Sequence, residues 1–218
     1  MIVNNAIRVL LVDDHPIVRK GLRSSIEEHD GIEIVGEAGD GEAALQLIRR
    51  LSPDIAVLDV DIPKMDGFAV ARELQKLGMT TKIVFLTLHT DPDFFDTAID
   101  CGGKGYLLKD GASEEIVAGL RAVSAGQMYV SQGMTHLLVK RRTTPKATAD
   151  VSPMDALTVS ERNIMKLIAQ GKSSKEIGQE LHIHYRTVEN HRTNICRKLQ
   201  IEGANALLRF ALQHQTKL

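Results

Sequence analysis

Ile55-Ala56-Val57-Leu58 is apolar at four consecutive positions, stops at Asp59, and is followed by Val60-Asp61-Ile62-Pro63. An apolar run without alternation fits a parallel strand buried on both faces. Strands of that kind are joined through crossover helices, so the neighbouring sequence must alternate strand and helix. In open sheets of this class the ligand crevice lies beyond the carboxyl ends of the strands, which puts Asp59 at its lip.

The flanking sequence meets that requirement. Arg8 to Val12 reads as a strand ending at Asp13-Asp14-His15, and Pro16 suits the first turn of a helix whose apolar face carries Ile17, Leu22 and Ile26. Glu33 to Glu37 reads as a strand and Gly41 to Leu51 as a helix; after Asp59, a helix carries Val70, Leu74 and Leu77. Lys82 to Leu86 is a further strand ending at Thr87, with a helix from Asp91-Pro92 that Gly102-Gly103 stops. Gly105 to Leu108 ends at Lys109, and a last helix runs from Ser113 to about Ala125. Five β-α alternations predict a flavodoxin-like, doubly wound (βα)5 α/β domain over residues 7–125. In parallel strands Asp13, Asp14, Asp59, Thr87 and Lys109 all reach one edge of the sheet.

Clustered carboxylates repel one another, and an oxygen-ligated cation such as Mg2+ relieves the repulsion. Asp59 is then a candidate phosphoryl acceptor, with Asp13, Asp14 and Asp59 as metal ligands. Lys109 offers a positive charge to the phosphate, and Thr87 a rotatable hydroxyl. Taken singly, each residue has a plainer reading: a turn former, a helix start, a strand-end hydroxyl, a solvated charge. Their occurrence together at successive strand ends favours the functional one.

Val12-Asp13-Asp14-His15, Leu58 to Gly67, Leu86-Thr87 and Lys104 to Asp110 resemble the signature of response-regulator receiver domains. The resemblance implies that Asp59 takes phosphate from a sensor histidine kinase, that Asp13 and Asp14 hold Mg2+, and that Thr87 and Lys109 sense the phosphate. It also implies that Tyr106 is the switch aromatic, whose plainer reading is a half-buried strand tyrosine. Asp61 and His89 fall where that family tunes phosphate lifetime. Asp110 follows the lysine where many receivers have proline.

Charge divides the chain. Residues 1–125 carry 13 basic and 21 acidic side chains, residues 126–218 carry 14 and 7. A basic second half is a nucleic-acid candidate. Residues 126–155 lack sustained periodicity and read as a linker; Met134 to Val139 reads as one short helix, and Lys140-Arg141-Arg142 as a basic cluster in a tether. Residues 156–216 read as an all-α domain: a helix over Arg162–Gln170, a short one over Ser174–Leu181, a turn at His182-Ile183-His184, a longer one to about Leu199, and a fourth over Ala204–Gln213. That is helix-turn-helix organisation. At ~100° per residue, Val188, Ile195 and Leu199 form the buried stripe of the longer helix, with Arg186, Asn190, Thr193 and Arg197 opposite and Glu189 on the flank. Glu189, Asn190 and Thr193 are candidate base readers, and Lys175, Arg186, Arg192 and Arg197 candidate phosphate contacts, with Thr187 on the same helix.

Leu157-Thr158, Glu161, Ile168 to Ile177 and Thr187 to His191 resemble the LuxR-type helix-turn-helix, and the whole chain resembles a NarL/FixJ-type response regulator. Ser160, Gly178, His184 and Glu189 depart from common family residues. The resemblance implies double-stranded promoter DNA as a partner and a homodimer on phosphorylation. The dimer contact would run through Ala204, Leu207, Leu208 and Ala211, which read equally as domain core. Two rivals stand beside it: a DNA-binding regulator that needs no phosphorylation, and a DxD phosphohydrolase, whose motif order this chain reverses. Cys101 and Cys196 lack metal-ligand spacing, and no stretch spans a membrane, so a cytoplasmic protein is expected. The resemblance implies a phosphoryl acceptor with at most slow autodephosphorylation rather than an enzyme.

Overall fold

Buried parallel strands form a six-stranded sheet of order β2-β1-β3-β4-β5-β6 in a computed structural model of the chain. The structure describes residues 6–138, 157–181, 183, 185–203 and 205–214. The strands are β1 (Ile7–Val12), β2 (Ile32–Ala38), β3 (Ile55–Asp59), β4 (Lys82–Thr87), β5 (Gly105–Leu108) and β6 (Tyr129–Val130), and every pairing is parallel. Between them run α1 (Pro16–Glu27), α2 (Gly41–Leu51), α3 (Gly67–Lys76), α4 (Pro92–Asp100) and α5 (Ala112–Ser124).

Side chains of a strand alternate between faces, so each strand feeds two cores. Val9, Leu11, Val57, Val84 and Leu107 pack with Leu22 and Ile26 of α1 and with Ile116 and Leu120 of α5. Leu10, Val12, Leu58, Phe85 and Tyr106 pack on the other face with Ile48, Phe68, Leu74 and Phe94. Helix starts follow the side chains: Asp40, Asp66 and Asp91 each accept a backbone N–H as N-cap. Two expected core positions are instead exposed, Ile17 at 82% and Leu77 at 45%. Each sits at a helix end, where less neighbouring structure covers the apolar face.

The larger correction concerns residues 126–155. Tyr129 and Val130 pair with Gly105 and Tyr106 as a sixth strand, and Val130, Met134 and Leu137 are buried in the core of the first unit. Ser131 is buried, donates to Glu115 Oε2 at 2.5 Å and accepts from Leu108 N at 3.0 Å. Residues 126–138 therefore belong to the sheet domain. The short turn Gln132–Met134 and helical residues 135–138 stand where a short helix was expected; the basic cluster 140–142 and the rest of the linker lie outside the described residues.

The second unit contains α6 (Val159–Ala169), α7 (Ser174–Leu181), α8 (Tyr185–Leu199) and α9 (Ala206–Gln213). Helix α6 starts earlier than its apolar residues indicate because Thr158 and Glu161 form a reciprocal capping box. Leu157, Ile164, Ile168, Ile177, Val188, Ile195, Leu199, Leu207 and Ala211 share one core.

Candidate functional site

At the carboxyl edge of the sheet, β1, β3, β4 and β5 deliver their end residues to one place. Asp13 and Asp59 are 1% and 2% exposed, and Thr87 is fully buried. Lys109 Nζ stands between the two carboxylates, 2.7 Å from Asp13 Oδ2 and 2.8 Å from Asp59 Oδ2. The other oxygen of Asp59 accepts from Asp61 N at 3.1 Å, and Asp13 Oδ1 accepts from His15 N at 2.8 Å. Asp14 is partly exposed, with its Oδ1 2.7 Å from His15 Nδ1. Gly67 lets α3 start against this strand end: a Cβ there would lie 2.4 Å from the Asp59 carbonyl oxygen.

Electrostatics follow from the crowding. Burial and the neighbouring Asp13 charge push the Asp59 carboxyl up to about 6, with Lys109 opposing. Burial works against the Lys109 ammonium, but Asp59 and Asp13 outweigh it and hold the lysine above its ordinary value. Ligand atoms of Asp13, Asp14, His15 and Asp59 lie within 4.8 Å of one another. Three convergent carboxylates, two of them buried, are a donor set that fits Mg2+.

The candidate switch residues lie beside this pocket. Thr87 Oγ1 accepts from His89 N at 3.0 Å, and the fully buried Tyr106 donates its hydroxyl to the His89 carbonyl at 2.9 Å. Tyr106 is thus a wholly interior side chain, edge-on to Phe95 at 5.3 Å between centroids. Asp61 and His89, singled out separately in the sequence, meet at 2.5 Å, and the His89 ring stacks on Phe94. Sequence reasoning missed Arg19, which donates to the Asp13 carbonyl at 2.6 Å and to Glu37 at 3.0 Å. Arg19 and Glu37 are 18 residues apart in the chain, and nothing in the linear order pairs them.

In the second unit α8 presents Glu189, Thr193 and Arg197 on its exposed side, with Arg192 partly covered; Lys175 is exposed on α7. Thr193 Oγ1 donates to the Glu189 carbonyl at 3.0 Å. Two candidate contacts are withdrawn from this face: Thr187 is 2% and Asn190 6% exposed. The reason is geometric. Helix α8 packs against both α6 and α7, so its buried arc takes in Thr187, His191 and Asn194 beside the apolar stripe, with Asn190 at its edge. The side chain of Arg186 lies outside the described residues. In α9, Leu207 and Ala211 are buried in the domain's own core and Leu208 is half-buried against it, which removes the first two from a dimer surface; Ala204 lies outside the described residues.

A buried aspartate with an acidic pair, a threonine and a lysine at one edge of a parallel sheet, carried with a helix-turn-helix, defines a receiver-plus-DNA-binding regulator. The model of the response regulator receiver domain matches residues 9–121, and that of bacterial regulatory proteins of the luxR family matches residues 155–211. The chain belongs to the NarL/FixJ-type response regulators, transcription regulators of two-component systems. It is 35% identical to the transcriptional regulatory protein MctR of Rhizobium johnstonii, over 95% of this chain and 94% of that one. It is 35% identical to the nitrate/nitrite response regulator NarP of Escherichia coli, over 95% of each. Among solved structures, the Salmonella typhimurium RcsB response regulator is 26% identical and covers 94% of this chain and 98% of its own, with a TM-score of 0.58. A complex of RcsB with DNA is 25% identical with the same coverage and a TM-score of 0.61. Among the described residues no helix is long and apolar enough to cross a membrane.

Proposed function

We propose that this regulator is switched by a phosphoryl group on Asp59, received from a phosphohistidine of a cognate sensor kinase in the cytoplasm. The observation that carries this reading is Lys109 Nζ held 2.7 and 2.8 Å from two buried carboxylates. A lysine so placed meets the charge that arrives on Asp59. In the transfer an Asp59 carboxylate oxygen forms a bond to phosphorus as the donor's N–P bond breaks and the imidazole leaves. Asp13, Asp14 and Asp59 would hold Mg2+, which when bound supplies positive charge to the phosphoryl oxygens. The modification adds roughly -1.5 to -2 units of charge. Thr87 and Lys109 are drawn to it; Thr87 ends β4 and accepts from His89 in the loop that follows, and Lys109 follows β5, whose Tyr106 donates to the His89 carbonyl. Turnover by this site is at most slow loss of its own phosphate.

The output is binding of double-stranded promoter DNA as a homodimer. Glu189 and Thr193 read base edges from the exposed side of α8, while Lys175, Arg186, Arg192 and Arg197 contact phosphates. A two-fold dimer places its half-sites about 34 Å apart or at a multiple of that spacing.

Intact mass after acetyl phosphate and Mg2+ tests the acceptor. The expected result is one adduct of about 80 Da in the wild type and none in Asp59→Ala. An adduct that persists in the variant places the acceptor elsewhere. If Asp59→Asn binds DNA as tightly as the phosphorylated wild type, control by phosphorylation is wrong and the phosphorylation-independent regulator stands.

A further inference from the structure

We infer that Arg19, oriented by Glu37, is a positioning residue that fixes the Asp13-Asp14 turn for the divalent cation. The inference rests on the proposed reading of Asp13, Asp14 and Asp59 as the metal pocket. Arg19 lies in the first turn of α1 with its side chain 19% exposed. Its Nη1 donates to the Asp13 carbonyl at 2.6 Å, and its Nε to Glu37 Oε2 at 3.0 Å. The second oxygen of Glu37 is taken by Arg23 at 2.7 Å, and Arg23 in turn meets Glu27 at 2.6 Å. On its other side the Asp13 amide donates to the Ala38 carbonyl at 3.2 Å, where β2 ends.

Asp13 is therefore held at both its amide and its carbonyl, and both anchors lead back to the end of β2. Fixing that carbonyl fixes the plane of the peptide between Asp13 and Asp14, and with it the direction in which Asp14 leaves the backbone. The turn needs such a restraint because Asp13, Asp14 and Asp59 repel one another when ionised and would separate if the loop were free. A planar guanidinium suits this role because it makes two bonds at a set angle, which an ammonium cannot. Partners behind the ligands of a metal site typically contribute 10- to 100-fold to its affinity.

The sign of the effect separates positioning from simple charge. Removing a cation beside an acidic pocket strengthens Mg2+ binding if only Coulomb's law acts. Loss of positioning weakens it.

The full-length protein, stripped with EDTA, is titrated with Mg2+ alone by calorimetry, and its unfolding is followed in EDTA. Arg19→Gln is expected to bind Mg2+ about ten-fold more weakly. Arg19→Lys keeps the charge and is expected to fall between, which also covers the case in which Arg19→Gln fails to fold. Lys64→Gln, which breaks an exposed pair with Asp40, serves as the neutral reference and is expected to match the wild type. Unchanged or tighter Mg2+ binding in Arg19→Gln, or Arg19→Lys equal to the wild type, overturns the inference. Asp14→Asn is run alongside. If it binds Mg2+ like the wild type, the metal is not in this pocket and the underlying reading fails. If it loses Mg2+ while Arg19→Gln keeps it, only the role of Arg19 fails.

Discussion

Two buried carboxylates in this protein each meet a lysine, and they are there for different reasons. Glu161 is fully buried in the second unit, where its Oε2 accepts from Thr158 N at 2.9 Å and from Lys198 at 2.6 Å. One acid meets one base, and the same acid closes the cap of α6. Asp59 in the first unit shares its lysine with Asp13, and burial raises its carboxyl to about 6. There the acids outnumber the base. A structural ion pair balances its charges within the fold, whereas this pocket leaves an excess that a cation or a charge-altering modification can act upon.

The contrast is breakable by substitution, and the largest effect is expected in the structural pair. Lys198→Ala leaves Glu161 buried without its counter-ion and is expected to cost the second unit about 3 kcal/mol. Urea unfolding measures it, and Mg2+ should make no difference. In the pocket the sign reverses. Asp59 binds its proton more tightly folded than unfolded, so its stabilising share is complete below pH ~4 and is lost as pH rises through about 6. Asp59→Asn escapes that loss. In EDTA at pH 7 it is expected to be more stable than the wild type by about 1–3 kcal/mol, with the gain vanishing near pH 4. Added Mg2+ should stabilise the wild type and narrow the gap; a gap indifferent to both pH and Mg2+ would break the comparison. The smallest effect tests the cap that ties Glu161 to α6: Thr158→Ala is expected to lose about 1 kcal/mol, read as a shift in the same urea transition.

What the sequence disclosed was governed by how local the cause was. Asp13, Asp59, Thr87 and Lys109 were legible because each ends an apolar run, and parallel strands bring such ends together whatever the loops do. Tyr129-Val130 was not legible as a strand, because two residues carry no periodicity and their pairing with Gly105 and Tyr106 depends on an edge built elsewhere. On α8 a single-stripe wheel placed Val188, Ile195 and Leu199 inside correctly. It left Asn190 outside, because one stripe cannot represent a helix packed on two partners, and it did not place Thr187, which lies in the buried arc. The resemblance implied a dimer seam through Leu207 and Ala211, which read equally as core, and the packing of α9 against α6 places them in the core. Arg19 and Glu37, distant in sequence and both charged, gave no local sign of their bond.

The sixth strand sets where this protein can be divided. Ser131 N donates to the Tyr106 carbonyl at 2.9 Å, and Val130, Met134 and Leu137 fill the core under β5. A chimera fused at residue 125 would start its foreign segment on a bare edge strand, with three apolar sockets open and a template for intermolecular pairing. Fusion after residue 138 keeps that edge closed, so a receiver exchanged between regulators of this kind has to carry its own sixth strand with it.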